Sequence, residues 1–222
     1  MINLITKLVL KPLAKAVYRP VIEGLEHVPR GGGVILASNH LSFIDSVVIP
    51  LTAPRQVFFL AKAEYFTGTG FKGALSRSFF EAINAVPVER GTYRSAQASL
   101  ESALEILQDG KAFGIYPEGT RSLDGRLYRG KTGVAWLALT AGVPVVPVAL
   151  EGPDQILPVG KRIPRLRKVT VRFGQPLHFT ELHGQARNAK ARRQVTDQVM
   201  AAIQQLSGQE LAEAYNERPL AA

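Results

Sequence analysis

Val34-Ile35-Leu36-Ala37-Ser38 runs straight into Asn39-His40-Leu41-Ser42-Phe43-Ile44-Asp45. The first five residues are apolar or small at consecutive positions, without the alternation of a strand that has one wet face. That is the pattern of a strand buried on both sides, as in a parallel sheet covered by helices. Val57–Ala61, Ala85–Val88, Ala112–Tyr116, Val145–Leu150 and Val169–Phe173 also read as strands. Between them, Ser95–Gln108 places Leu100, Ala103, Leu104 and Leu107 on one helical face, and Gly110 closes the helix. Thr132–Thr140 reads as a second, largely buried helix. Ala191–Leu206 reads as a third, with Val195, Val199, Ile203 and Leu206 on its stripe. Strands interleaved with helices predict an α/β fold: a mixed, largely parallel sheet covered by helices on both faces.

The length of 222 residues suits one such domain, and a 46% apolar composition supplies its core. Whole-chain disorder is thereby excluded. There is no cysteine, which excludes disulfides, thiolate zinc sites and a cysteine nucleophile. Lys and Arg number 27 against 18 Asp and Glu, a net charge of +9. That surplus points to an anionic partner: nucleic acid, an anionic membrane surface or a phosphorylated substrate.

No stretch of about 18 uninterrupted apolar residues is present, so no conventional transmembrane helix is expected. In residues 1–20, Ile5, Leu8, Val9, Leu13, Ala16 and Val17 recur at helical spacing, with Lys7, Lys11 and Lys15 along another face. Pro12 predicts a kink or two short helices. Lys7 and Lys11 break the apolar stretch and no convincing cleavage site follows, so the segment reads as retained rather than as a signal peptide. A basic amphipathic segment suits a bilayer interface or docking on the protein's own core. The expected organisation is an N-terminal amphipathic, membrane-interface helical segment over 1–20 and one domain over 21–222, with no linker or repeat.

None of the four histidines forms a close metal-ligand pair, so no metal site is expected. His40 stands out because it follows a buried strand, where α/β proteins bind ligands. Asp45 lies five residues on. Within one regular helix the two side chains would be about 140° apart, so pairing requires His40 on the loop and Asp45 in the first turn of the next helix. Ser42-x-x-Asp45 also resembles a capping box, a purely structural use of the same carboxylate. Tyr116-Pro117-Glu118-Gly119-Thr120-Arg121-Ser122 follows another strand, and its small residues and arginine suit an anion site; an ordinary turn has similar composition. Arg90 and Lys62 close two further strands. Basic groups at the carboxyl ends of strands in one sheet, beside a His–Asp pair, imply an anionic substrate and acid–base chemistry.

Asn39-His40-x-x-x-x-Asp45, Arg90, Tyr116–Ser122 and Val143-Pro144-Val145-Val146-Pro147-Val148 occur in that order. They resemble the four motif blocks of the glycerolipid acyltransferases, specifically the bacterial 1-acylglycerol-3-phosphate acyltransferase type, over roughly residues 23–152. The block Asn84-Ala85-Val86-Pro87-Val88-Glu89-Arg90 keeps the family's arginine but changes its usual glycine and aromatic. The resemblance implies transfer of a fatty acyl group from acyl-CoA or acyl carrier protein to the free hydroxyl of a lysophospholipid, giving phosphatidic acid. It implies His40 as general base, with Asp45 fixing its tautomer. Arg90, Arg121 and Lys62 would grip the acceptor phosphate, Glu118 would orient those cations or the glycerol, and Gly119 and Thr120 belong to the same loop. Lys131 and Asn39 are further candidates. Backbone amides near His40 or Gly119 are candidate oxyanion donors. Neither metal nor redox cofactor is implied. The partners implied are the lysophospholipid and acyl thioester at an anionic membrane surface, with peripheral, monotopic attachment at the cytoplasmic face of the cell membrane. The basic stretch 161–168 suits the same headgroups or a solvated loop.

Three other readings compete. The acceptor is alternatively another lysophospholipid or glycerol phosphate. Gly125-Arg126-Leu127-Tyr128-Arg129-Gly130-Lys131-Thr132 matches the phosphate loop of nucleotide hydrolases, although no strand leads directly into it and its interior residues are large. A nucleic-acid binder rests on charge alone, without interleaved aromatics, and none is expected.

Overall fold

The computed structural model describes residues 17–89, 93–161 and 163–217. Strand β2, Val34–Ser38, is buried at every position, as a strand without a wet face must be. The sheet also contains β1 (Val21–Glu23), β3 (Val57–Lys62), β4 (Ala85–Val88), β5 (Ala112–Ile115), β7 (Val145–Glu151) and β8 (Thr170–Phe173). Their spatial order is β1-β8-β7-β2-β5-β3-β4. Every neighbouring pair is parallel except β7 with β8. The carboxyl ends of β2, β3, β4, β5 and β7 therefore share one edge. Asn39-His40, Ala63, Glu89, Tyr116-Pro117 and Gly152 follow those ends, and the loops they begin build the site.

Successive side chains of β2 enter opposite cores. Val34 and Leu36 pack with Val48 and Ile49 of α1 (Asp45–Thr52) and with Ile156 of the one-turn helix α5 (Pro153–Ile156). Ile35 and Ala37 pack with Ala103 and Leu107 of α3 (Tyr93–Gln108) and Val134 and Leu137 of α4 (Gly133–Ala141). Val199 and Ile203 of α6 (Ala189–Ser207) complete that second core. Helices thus cover both faces, as the apolar runs require. The bounds of α3, α4 and α6 fall within two residues of those expected.

Several elements were not legible. Strand β1 is only three residues long. Helix α2, Gly70–Ala82, buries only Gly73 and Phe80 and so lacks the buried stripe by which a helix is recognised. Strands β6 (Leu127–Tyr128) and β9 (Leu211–Ala212) form a separate parallel pair. Gly208, left-handed at φ 66°, ends α6 and turns the chain back toward the site. Most of the expected 1–20 helical segment, together with Arg90 and Arg162, lies outside the described residues.

Candidate active site

The loop after β2 is fixed by side chains that replace backbone partners. Asn39 is fully buried; its Nδ2 donates to Leu150 O at 2.9 Å and its Oδ1 accepts from Leu150 N at 2.8 Å. The side chain therefore carries the pairing with β7 past the strand end and sets where His40 begins. His40 stays on the loop and Asp45 opens α1, the geometry that their spacing demands. His40 Nδ1 lies 2.8 Å from Asp45 Oδ2. The same oxygen accepts the amides of Leu41 at 2.7 Å and Ser42 at 2.9 Å. The two readings of Asp45 are thus realised together, since the carboxylate orients the imidazole and serves a helix N-terminus. The capping box is only half formed: Ser42 Oγ donates to Leu157 O at 2.7 Å instead of returning the bond.

The imidazole is also held by its face. Tyr116 stacks on it with centroids 3.9 Å apart and planes 9° apart. Phe59 stacks on Tyr116 at 5.5 Å. Gly114 makes room for that stack, because a Cβ there would lie 2.1 Å from the Phe59 ring. Tyr116 OH pairs with Ser46 Oγ at 2.9 Å. Burial pushes the phenol well above its ordinary pKa, and the nearby Asp45 carboxylate adds to the shift. The ring is a neutral wall. With one edge on Asp45 and one face on Tyr116, the His40 side chain retains 16% exposure, and its Nε2 has no partner among the described residues. A proton held on Nδ1 by the carboxylate leaves Nε2 with its lone pair, the form a general base needs.

Glu118 lies beneath the site rather than on its surface. It is fully buried; Oε1 accepts from His40 N at 2.9 Å and Oε2 from Tyr128 N at 3.0 Å. Burial pushes its pKa from 4.5 up to about 7 against the opposing pull of those two amides. Both oxygens face backbone, so the carboxylate joins the Pro117–Ser122 loop to the His40 loop. Ser122 N, donating to His40 O at 2.8 Å, ties the same two loops. Gly119 is left-handed at φ 79° and lies under Lys131, whose Cδ would be 3.1 Å from an added Cβ. That brings Lys131 over the loop carrying half-buried Thr120 and Arg121. Lys62 closes β3, the strand next to β5, and is half-buried. Among the described residues no side-chain hydrogen bond or ion pair engages Lys62, Arg121 or Lys131. Arg90, the other expected phosphate ligand, lies outside those residues.

The amides of His40 and Gly119 themselves donate to Glu118 Oε1 and Tyr116 O. The Gly125–Thr132 segment, already a poor match in sequence, does not fold as a phosphate cradle. Its Leu127, Arg129 and Lys131 amides donate to Glu210 O, Ala214 O and Pro117 O, and that of Tyr128 to Glu118. No group of three or more His, Cys, Asp or Glu side chains is placed to hold a metal among the described residues.

Residues 208–217, which carry no recognisable motif, complete the site from behind. Gln209 Oε1 accepts from Asn39 Nδ2 at 2.8 Å, while its Nε2 donates to Gly125 O at 2.6 Å. Asn216 Nδ2 donates to Thr120 O at 3.4 Å and Arg121 O at 3.1 Å. These contacts join residues up to 170 positions apart, beyond the reach of local sequence patterns.

Residues 19–151 match the family model described as Acyltransferase. The chain is 35% identical over 144 residues to a chloroplastic 1-acyl-sn-glycerol-3-phosphate acyltransferase of Brassica napus. That alignment covers 64% of this chain and 40% of the plant protein, so the match spans less than half of the relative's length. It is 30% identical over 155 residues to a 1-acyl-sn-glycerol-3-phosphate acyltransferase of Bacillus subtilis (strain 168), covering 69% of this chain and 71% of that one. Among solved structures, the 1-acyl-sn-glycerophosphate (LPA) acyltransferase PlsC of Thermotoga maritima is similar at a TM-score of 0.69 and 26% identity. That similarity covers 92% of this chain and 79% of the other. The matched stretch contains the His40–Asp45 pair and the Pro117–Ser122 loop it is bonded to, and the chain belongs to the acyltransferase family.

Proposed function

We propose that this protein moves a fatty acyl group from acyl-CoA or acyl carrier protein to the free hydroxyl of 1-acylglycerol-3-phosphate, giving phosphatidic acid for phospholipid biosynthesis. The observation that carries the reading is the 2.8 Å His40–Asp45 pair, with its second ring nitrogen unengaged at an edge bearing Lys62, Arg121 and Lys131. The names of the relatives support the choice of acceptor.

A glycerol hydroxyl ionises far above neutral pH, so it needs a base as it attacks. His40 Nε2 takes its proton while the oxygen adds to the thioester carbonyl. Asp45 stabilises the imidazolium that forms; its Oδ1 is buried without a partner among the described residues, so the carboxylate gains from a cation beside it. The tetrahedral intermediate collapses, breaking the carbon–sulfur bond, and the thiolate leaves as a thiol with the proton from His40. Acyl transfer so written uses no metal or redox cofactor. Lys62 and Arg121, with Lys131 over the loop, hold the phosphate and convert a bimolecular encounter into an oriented one. An acyl carrier protein, being acidic, would suit a chain of net charge +9.

The lipid acceptor places the reaction at an anionic membrane surface. No helix among the described residues is long and apolar enough to cross a membrane. Attachment in this scheme is peripheral and monotopic, at the cytoplasmic face. The basic stretch 161–168, where Ile163 and Leu166 are 81% and 72% exposed, supports it.

The test supplies purified protein with acyl-CoA or acyl carrier protein thioester and a panel of lysolipids and glycerol phosphate. Thiol release is expected with lysophosphatidate, and His40→Ala should lower kcat by about a hundred- to ten-thousand-fold. Near-normal turnover in that variant removes His40 from its role. Turnover on a different acceptor alone replaces lysophosphatidate as substrate.

A further inference from the structure

Helix α2 is amphipathic the wrong way round. A surface helix normally buries its large apolar side chains and exposes its polar ones. Helix α2 rests on the protein through Gly73, where an added Cβ would lie 2.1 Å from Gly68 backbone atoms, and through Phe80. Phe80 sits in an aromatic cluster, 4.5 Å from the Tyr65 ring and 6.0 Å from the Phe43 ring. Phe71, Leu75 and Phe79 point away from the protein and are 84%, 62% and 42% exposed. At spacings of four they form one stripe. Lys72, exposed, borders it, Arg77, also exposed, lies on the far side of the helix, and no acidic residue occurs between Glu64 and Glu81.

We infer that α2 is an interfacial helix that seats the mouth of the site on an anionic lipid surface. Its apolar stripe enters the acyl boundary while Lys72 meets the headgroup phosphates, the division of labour that such helices use. The position in the fold agrees. Helix α2 follows the carboxyl end of β3, at the edge where His40 lies. Phe43, within the His40–Asp45 loop, packs on Tyr65 and Phe80. A bilayer seated on α2 therefore lies one aromatic layer from the catalytic loop, at the level of a lysolipid's glycerol and phosphate. The occupant rests on the lipid-acceptor reading, but its test does not require turnover.

Full-length protein is sedimented, without substrates, with vesicles of equimolar phosphatidylcholine and phosphatidylglycerol, and with vesicles of phosphatidylcholine alone. The double variant Phe71→Ser/Leu75→Ser should bind the anionic vesicles roughly tenfold more weakly, with its melting temperature held. Lys72→Glu should weaken binding to the anionic vesicles and keep what binding there is to neutral ones. Both variants should keep wild-type turnover on a short-chain, monomeric acceptor. Unchanged vesicle binding by the Phe71/Leu75 variant overturns the inference. A wild-type dimer that this variant dissociates in the absence of lipid assigns the stripe to a second copy and overturns it too. A protein that binds vesicles through α2 yet acylates no lysolipid overturns the proposed reaction and leaves this surface in place.

Discussion

Asp45 and Glu118 lie wholly inside the protein, and three of their four oxygens accept backbone amides or the His40 ring. Lys62, Arg121 and Lys131 are half-buried or exposed, with no side-chain partner among the described residues. The two regions adjoin but do opposite work. An anion in the interior must be hydrogen-bonded, so each carboxylate organises the backbone around it. A cation at the rim keeps its donors for a ligand. Changes to the carboxylates should therefore move kcat and stability together, and changes to the cations should move acceptor KM alone.

Asp45→Asn gives the largest expected effect. One amide orientation places an NH2 group against the three donors that now meet Oδ2; the other buries it where Oδ1 already lacks a partner. The imidazolium also loses its counter-charge. We expect kcat to fall by about a hundredfold or more and unfolding free energy by about 1–3 kcal/mol, with acceptor KM little changed. Steady-state kinetics and urea melts measure both. A raised KM at constant kcat would erase the distinction between the regions.

Glu118→Gln tests whether the second carboxylate is structural. Its folded pKa of about 7 lies above the ordinary 4.5, so the folded state binds the extra proton between those values. The stability this contributes is fully present below about pH 4.5 and is lost as pH rises through about 7, on the order of 3 kcal/mol in all. Glutamine cannot titrate, and it sets an NH2 against the His40 or Tyr128 amide. The wild-type advantage over the variant should thus be greatest in acid and shrink toward neutrality in urea denaturation. An advantage that grows with pH means that the two amide bonds, rather than burial, set the charge of Glu118.

Arg121→Ala belongs to the other region. Losing a charge-assisted bond to phosphate should raise acceptor KM about ten- to a hundredfold, leaving kcat and the melting temperature near wild type. An unchanged KM removes Arg121 from the phosphate clamp. A lowered melting temperature would place it with the carboxylates.

The sheet was legible because β2 is buried on both faces and its neighbours read similarly, so consecutive apolar residues identified central strands without ambiguity. His40 and Asp45 were legible because a five-residue spacing permits pairing across only one kind of junction. What each carboxylate touches was not. Glu118 looks in sequence like one more polar member of an anion loop, and only the fold shows both of its oxygens turned inward. Helix α2 escaped notice because it presents its large apolar residues outward, so the usual link between periodicity and burial fails there. Nothing local shows, either, that the His40 amide is occupied by a residue 78 positions away.

Gln209→Ala gives the smallest effect and tests how far the interior network extends. The side chain joins Asn39 Nδ2 to Gly125 O, but Asn39 keeps both bonds to Leu150 without it. The loss is therefore one shared neutral contact on each side, about 1 kcal/mol in stability. Gln209 touches neither His40 nor the cations, so it acts only through Asn39 and the position of the 117–131 segment. We expect kcat to fall less than tenfold, with acceptor KM within about twofold of wild type. Gln209→Glu separates the two contacts, since it keeps an acceptor for Asn39 and removes the donor to Gly125 O. If the glutamate restores kcat, the bond to Asn39 matters; if it matches the alanine, the hold on Gly125 does. A rise in KM without a change in kcat would place Gln209 with the rim, showing that residues 208–217 position the phosphate ligands rather than the base.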